Sequence, residues 1–226
     1  MATFEEGAKA YEADDLVTAL AVWTEAAAAG GAESQYYLGQ MYANGKGVDQ
    51  DFVKALEFFT PSAESGFLEA EYGMGVLHHV GLGMDPDSAE AAYWYTKAAD
   101  KGHAQAQCNL AGLYEAGEGV TRDYVKAVDY YRQASDSGYV VAIYNLAVMW
   151  QNGTGLEPDV EKAVELYAVA AEAGLVAAQF NIGIILGDRA GSNFDIEKSR
   201  YWLGKASEQG HEQAREELER KRPKAD

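Results

Sequence analysis

Side chains able to do chemistry are sparse in this sequence: four histidines and a single cysteine among 226 residues. His78 and His79 are adjacent. Neighbouring helix residues point about 100° apart, so the two cannot hold one metal from a shared face. His78 also falls in register with Tyr42, Tyr114 and Trp150, which reads as a packing position. His103 and His211 each follow a recurrent glycine and are expected to be exposed. Cys108 is in register with Tyr36, Tyr72, Tyr144 and Phe180, as a buried structural thiol would be. One cysteine allows neither an intrachain disulfide nor a thiolate metal cluster. The Gly-x-Gly pairs at 45/47, 81/83, 117/119 and 153/155 do not extend to G-x-G-x-x-G. Gly45-Lys46 is followed by Gly47 where a phosphate loop needs Ser or Thr. H-E-x-x-H, G-x-S-x-G and S-x-x-K do not occur. The sequence therefore predicts no catalytic residue, no metal and no cofactor.

A polar column is more suggestive: Tyr37, Gly73, Asn109, Asn145 and Asn181. An amide both donates and accepts, so it can pair with an extended peptide backbone whatever that peptide's side chains, or tie neighbouring helices together. Nearby columns read Gln40, Val76, Gly112, Val148, Ile184 and Ala43, His79, Glu115, Gln151, Gly187. The candidate binding residues are Asn109, Asn145, Asn181, Tyr37, Gln40, His79, Glu115 and Gln151.

These columns exist because the chain repeats itself. Gly66, Gly102, Gly138, Gly174 and Gly210 stand at equal steps of 36 residues, and Gly30 is one step earlier. In phase with them run a small-residue column (Ala70, Ala106, Ala142, Ala178, Ala214), an apolar one (Leu38, Met74, Leu110, Leu146, Ile182) and an acidic one (Asp51, Asp87, Asp123, Asp159, Asp195). A period of this size signals stacked supersecondary units. Each unit reads as two helices. In 103–138, Ala106, Leu110, Leu113 and Tyr114 make one apolar face, and Tyr124, Ala127, Val128, Tyr131 and Ala134 make another. Gly117 and Gly119 separate them, and Gly138 ends the second. Pro86 and Pro158 are expected just inside second-helix starts, with the recurrent aspartate in the first turn. Pro61, within a second helix, predicts a bend near 57–61.

Composition restricts the partners. Against 18 Lys plus Arg stand 36 Asp plus Glu, a net charge of −18. Such a chain repels nucleic-acid backbones and anionic membrane surfaces. No apolar run approaches the 18 residues of a membrane span. Residues 1–100 carry most of the excess, 4 basic against 17 acidic. That imbalance reads as a solvated surface or, more sharply, as a face for a basic partner. The start, MATFEEGAKAYEADD, lacks a basic and then apolar leader. The expected compartment is the cytoplasm, with a periplasmic or secreted location if a leader has been removed.

The segments AQCNLAGLYEAGEGVTRDYVKAVDYYRQASDSG (106–138) and AIYNLAVMWQNGTGLEPDVEKAVELYAVAAEAG (142–174) resemble the Sel1-like repeat, a relative of the tetratricopeptide repeat, as does YYLGQMYANGKGVDQDFVKALEFF (36–59). The resemblance covers residues 31–210 as five copies (31–66, 67–102, 103–138, 139–174, 175–210). Residues 1–30 read as a shorter tetratricopeptide-like hairpin, and 211–226 as a capping helix and tail. Residues 187–194, GDRAGSNF, depart from the pattern by keeping only Gly191 of the glycine pair.

The resemblance implies an all-α, right-handed solenoid of helix-turn-helix units. It also implies a bacterial adaptor whose concave face binds a peptide or protein; the expected oligomeric state is a monomer. In tetratricopeptide-type solenoids the first helices line that face, and an asparagine at the register of Asn109, Asn145 and Asn181 contacts bound peptide backbone. A carboxylate clamp would need Lys or Arg beside these residues, and the neighbouring columns hold neither. Two other readings come with the resemblance: a hydrolase, since penicillin-hydrolysing activity is attributed to some members, and a self-assembling structural protein. The cysteine pair in each repeat, usual in members linked to that activity, is absent.

Overall fold

A computed structural model describes residues 2–221. Thirteen helices and no strand occur among the described residues, in two compact units, Met1–Arg122 and Asp123–Asp226. The first unit holds α1 (Phe4–Glu12), α2 (Leu16–Ala28), α3 (Ala32–Asn44), α4 (Phe52–Glu64), α5 (Leu68–Val80), α6 (Ser88–Asp100) and α7 (Ala104–Ala116). The second holds α8 (Tyr124–Asp136), α9 (Val140–Asn152), α10 (Val160–Glu172), α11 (Val176–Leu186), α12 (Ile196–Glu208) and α13 (Glu212–Arg220). Within each unit every helix packs on the next in chain order, the layering of an α-solenoid. The predicted tail beyond 221 lies outside the described residues.

Small residues let the helices approach. Ala19, Ala55, Ala91, Ala127 and Ala163 on second helices, and Ala70, Ala106, Ala142, Ala178 and Ala214 on first helices, are fully buried. At two small-residue places on second helices a serine hydroxyl finds a backbone carbonyl. Ser62 Oγ donates to Ala32 O at 2.7 Å and Ser199 Oγ to Gly183 O at 2.6 Å, which removes the cost of burying it. Gly75 lies against the buried ring of Tyr95, where a Cβ would come within 2.4 Å of the ring. The rings of Phe59, Tyr95, Tyr131 and Tyr167, with Leu203 in the last copy, fill each hairpin. Trp23 does so in α1–α2, where its indole N–H donates to Phe4 O at 3.1 Å.

The helix starts differ from expectation by one or two residues. Asp15, Asp51, Asp87, Asp123, Asp159 and Asp195 are the N-caps of α2, α4, α6, α8, α10 and α12, not first-turn residues. Each carboxylate accepts a backbone N–H two or three residues on, such as Lys162 N at 3.0 Å from Asp159. Satisfying an orphan donor outweighs the dipole effect alone. Pro86 and Pro158 therefore precede the caps rather than opening the helices. Bonding to the Thr18 hydroxyl and then its N–H holds Asp15 below the ordinary carboxylate range, and the N–H groups of Lys162 and Lys198 do the same for Asp159 and Asp195. Helix α4 runs without interruption through Pro61, with Thr60 Oγ1 donating to Leu56 O at 2.8 Å.

The turns after first helices use glycine for its left-handed freedom. Gly119, at φ +68°, also sits so close to Ser88 that a Cβ would fall 2.2 Å from its backbone. The departure at 187–194 is real in the backbone. Gly187 closes α11 at φ −90°, not in the left-handed conformation of Gly45, Gly81, Gly117 and Gly153.

Candidate functional site

The asparagine column is turned toward tyrosine hydroxyls inside the repeats. Asn181 Nδ2 lies 3.3 Å from Tyr144 Oη and 3.4 Å from Tyr167 Oη, and Tyr167 Oη donates to Gln151 Oε1 at 2.8 Å. Asn109 makes the same pairing with the hydroxyls of Tyr72 and Tyr95. Burial pushes Tyr95 and Tyr167 up to about 12, against the opposing pull of these amide bonds. Asn145 is half-buried at the same register. Asn109 and Asn181 thus have the tying role that the column allowed as one of its two readings.

At Gly73 this ladder lapses. The asparagine is missing, and the tyrosine beneath it is replaced by Phe59, which offers no hydroxyl. Tyr36 Oη, the counterpart of Tyr144 Oη, instead accepts from Gln40 Nε2 at 3.0 Å. A Cβ on Gly73 would approach nothing nearer than Phe59 Cε1 at 3.8 Å, so the place of the absent amide is open. It belongs to a groove of about 480 Å³ among α3, α4, α5 and the start of α7. Val76 and Leu82, over the buried Phe59 and Leu77, give it apolar surface, Tyr36 and Tyr72 aromatic surface, and Gln40, Asn44, Gln50, Glu69, His103 and Gln105 polar surface.

His103 is not exposed as predicted but 8% accessible. It is the N-cap of α7, its Nδ1 accepting Ala106 N–H at 3.2 Å. Its ring stacks on Tyr72 at 4.4 Å, and Nε2 faces Glu69 Oε2 at 3.4 Å. A residue read as following a helix stop is equally the cap of the next helix, and the stack on Tyr72 covers its ring. His211 repeats the arrangement on Phe180 at 4.4 Å and caps α13, half-buried.

The remaining candidates are scattered. Tyr37 packs half-buried among Phe4, Trp23 and Tyr36. His79 lies 4.0 Å from Glu118 and edge-on to Tyr95, and Glu115 is half-buried. Gln151 is exposed and borders a second groove, about 340 Å³, with Ile184, Ile185 and the 188–193 segment. Of the eight, Gln40 alone lines the larger groove. Tyr36, Phe59, Glu69, Tyr72 and His103 were not among the candidates. The available signal was the joint exchange of Asn for Gly73 and Tyr for Phe59. Among the described residues no group of three or more His, Cys, Asp or Glu could hold a metal ion, and no helix is long and apolar enough to cross a membrane.

The family model described as Sel1 repeat matches residues 32–67, 68–103, 104–139, 140–175 and 176–211. The chain belongs to the Sel1 repeat family. Among solved structures, a protective antigen of uropathogenic Escherichia coli with this fold is 31% identical, with a TM-score of 0.85 over 90% of this chain and 44% of that one. The chain thus spans under half the length of that Sel1 relative. A Sel1 repeat protein of Oxalobacter formigenes is 28% identical, TM-score 0.84, covering 94% and 84% of the two chains. An immunity protein of Pseudomonas aeruginosa, 19% identical with a TM-score of 0.55 over 92% of this chain and 82% of that one, shares the fold. No curated protein matches the sequence. The Sel1 repeat fold generally mediates protein–protein interaction.

Proposed function

We propose that this chain is an interaction scaffold that binds a peptide or a segment of a protein and performs no reaction. The observation that carries the reading is the groove beside Gly73. There a repeat otherwise filled by Asn–Tyr bonds leaves an open cleft whose wall mixes apolar and polar side chains in near-equal measure, a surface that can take both parts of a peptide. The first helices around it each end in a left-handed glycine and pack tightly on their neighbours, so the surface is preorganised and loses little entropy on binding. Family membership supports the same conclusion. Its excess of carboxylates favours a basic partner over nucleic acid or an anionic membrane.

The test is affinity capture from native extract at low and raised salt, followed by reconstitution of the captured protein with the purified chain and calorimetry. A stoichiometric complex is expected, weakened by salt, with no turnover against a panel of hydrolase substrates including β-lactams. Turnover, or the absence of any reconstituted complex, overturns the scaffold reading.

A further inference from the structure

The groove beside Gly73 carries chemistry that narrows what it can hold. Among its lining residues the formal charge is a single carboxylate, Glu69, with neither Lys nor Arg. Glu69 is half exposed, its side chain 48% accessible, and only one of its oxygens faces His103. The unit around it has 13 more acidic than basic residues, since Lys101 and Arg122 are balanced by Glu115 and Glu118. A cation approaching the groove therefore meets attraction both locally and from the surrounding field. Beside Glu69 lies the apolar floor of Phe59 and Val76, between Tyr36 and Tyr72, with the open place at Gly73. The corresponding places at Asn109 and Asn181 are occupied by their own amides.

Resting on the scaffold reading above, we propose that the groove takes a peptide with a large apolar side chain next to a Lys or Arg. The apolar side chain sits over Phe59 in the place left by the absent asparagine, and the cation pairs with Glu69. The volume, about 480 Å³, falls in the range of roughly 300–1,000 Å³ usual for clefts that bury a small ligand, and suits side chains rather than a folded surface.

The probe is a phage-displayed library of random linear peptides selected on the full chain, followed by synthetic peptides in calorimetry. Selection is expected to enrich Leu, Ile, Phe or Trp within two positions of Lys or Arg. Gly73→Asn, which fills the gap, is expected to weaken the selected peptide about tenfold or more, as loss of a central anchor does. Glu69→Gln is expected to weaken it about threefold and to flatten its salt dependence. Val76→Lys is a second way to block the seat should Gly73→Asn fail to fold, and exposed Glu172→Gln serves as the control. The inference is overturned if no peptide is enriched, if the enriched peptides are acidic or lack the apolar–cationic pair, or if neither Gly73→Asn nor Val76→Lys changes affinity. A mass that rises with concentration and is reset by Val76→Lys assigns the groove to a second copy and also overturns it. Retention of reconstituted native partners by both variants removes the groove and leaves the scaffold reading standing. Failure of the wild-type chain to form any complex removes the scaffold reading itself.

Discussion

The slots at Gly73 and Asn181 are built on the same backbone register, three repeats apart, yet end as different surfaces. In the second unit Asn181 bridges Tyr144 and Tyr167, and the Tyr167 hydroxyl continues to Gln151. At the Gly73 slot of the first unit the amide and one hydroxyl are both gone, the other hydroxyl turns to Gln40, and a groove opens beside Phe59. A polar pair can be dropped from a buried site at low cost when both partners leave together, because no donor or acceptor is stranded. The same rule makes removal of one partner expensive. The lesson is that a repeat protein can open a cleft without altering its framework, by deleting a matched pair of side chains.

This contrast can be broken in several ways. The largest effect is expected from Tyr167→Ala, which empties a fully buried ring and leaves the Asn181 amide with Tyr144 alone. It should cost about 3–5 kcal/mol, the range for deleting a large buried aromatic, measured by denaturant unfolding. An unaltered midpoint would remove Tyr167 from the core.

Alkaline pH comes next. Tyr95 and Tyr167 are pushed up to about 12 from the ordinary 10, so the folded state holds their phenolic protons more tightly than the unfolded state. Their contribution is complete below pH 10 and is lost as pH rises toward 12, at up to ~1.4 kcal/mol per pH unit for each. Unfolding titrations between pH 9 and 12 should show the slope, and Tyr167→Phe should make it shallower. A flat profile in the wild-type chain contradicts the burial of these hydroxyls.

At neutral pH, Tyr167→Phe alone should cost about 0.5–1.5 kcal/mol, since Asn181 keeps its bond to Tyr144 and exposed Gln151 turns to water. Installing the missing pair at the other slot, Phe59→Tyr with Gly73→Asn, should show a favourable coupling of about 0.5–1.5 kcal/mol in a double-mutant cycle. Zero coupling would mean that the two slots are not equivalent. The smallest effect is Gly73→Asn by itself. It replaces a glycine inside α5 and should stabilise by about 0.3 kcal/mol on helix propensity. A slightly higher melting temperature together with weaker peptide binding is the combination that separates packing from recognition.

Much of the fold was legible because it is written locally. The 36-residue glycine steps mark left-handed positions after second helices, as at Gly102 and Gly138. The small columns mark close helix approach, and the recurrent aspartates mark helix starts. The misreadings were local as well. Placing Pro86 and Pro158 inside their helices overlooked that an aspartate one residue later caps better. Reading His103 as exposed overlooked that it caps α7 and stacks on Tyr72.

The site was far less legible. Of the residues that line the hairpin interiors, Phe59, Tyr95, Tyr131, Tyr167 and Leu203, the sequence reading placed only Tyr131 on a buried face. The Asn–Tyr bonds join residues 14 and 37 positions apart, a relation no period of 36 displays.

By itself the sequence determined the unit: two helices, their stops and caps, and the faces that must be buried, since these follow from backbone preferences and from spacing within a few turns. Only the tertiary structure decided what each exposed-looking position became. An asparagine is a tie where two hydroxyls converge on it, and a glycine is an opening where none does. That convergence comes from three helices meeting, which local spacing does not encode.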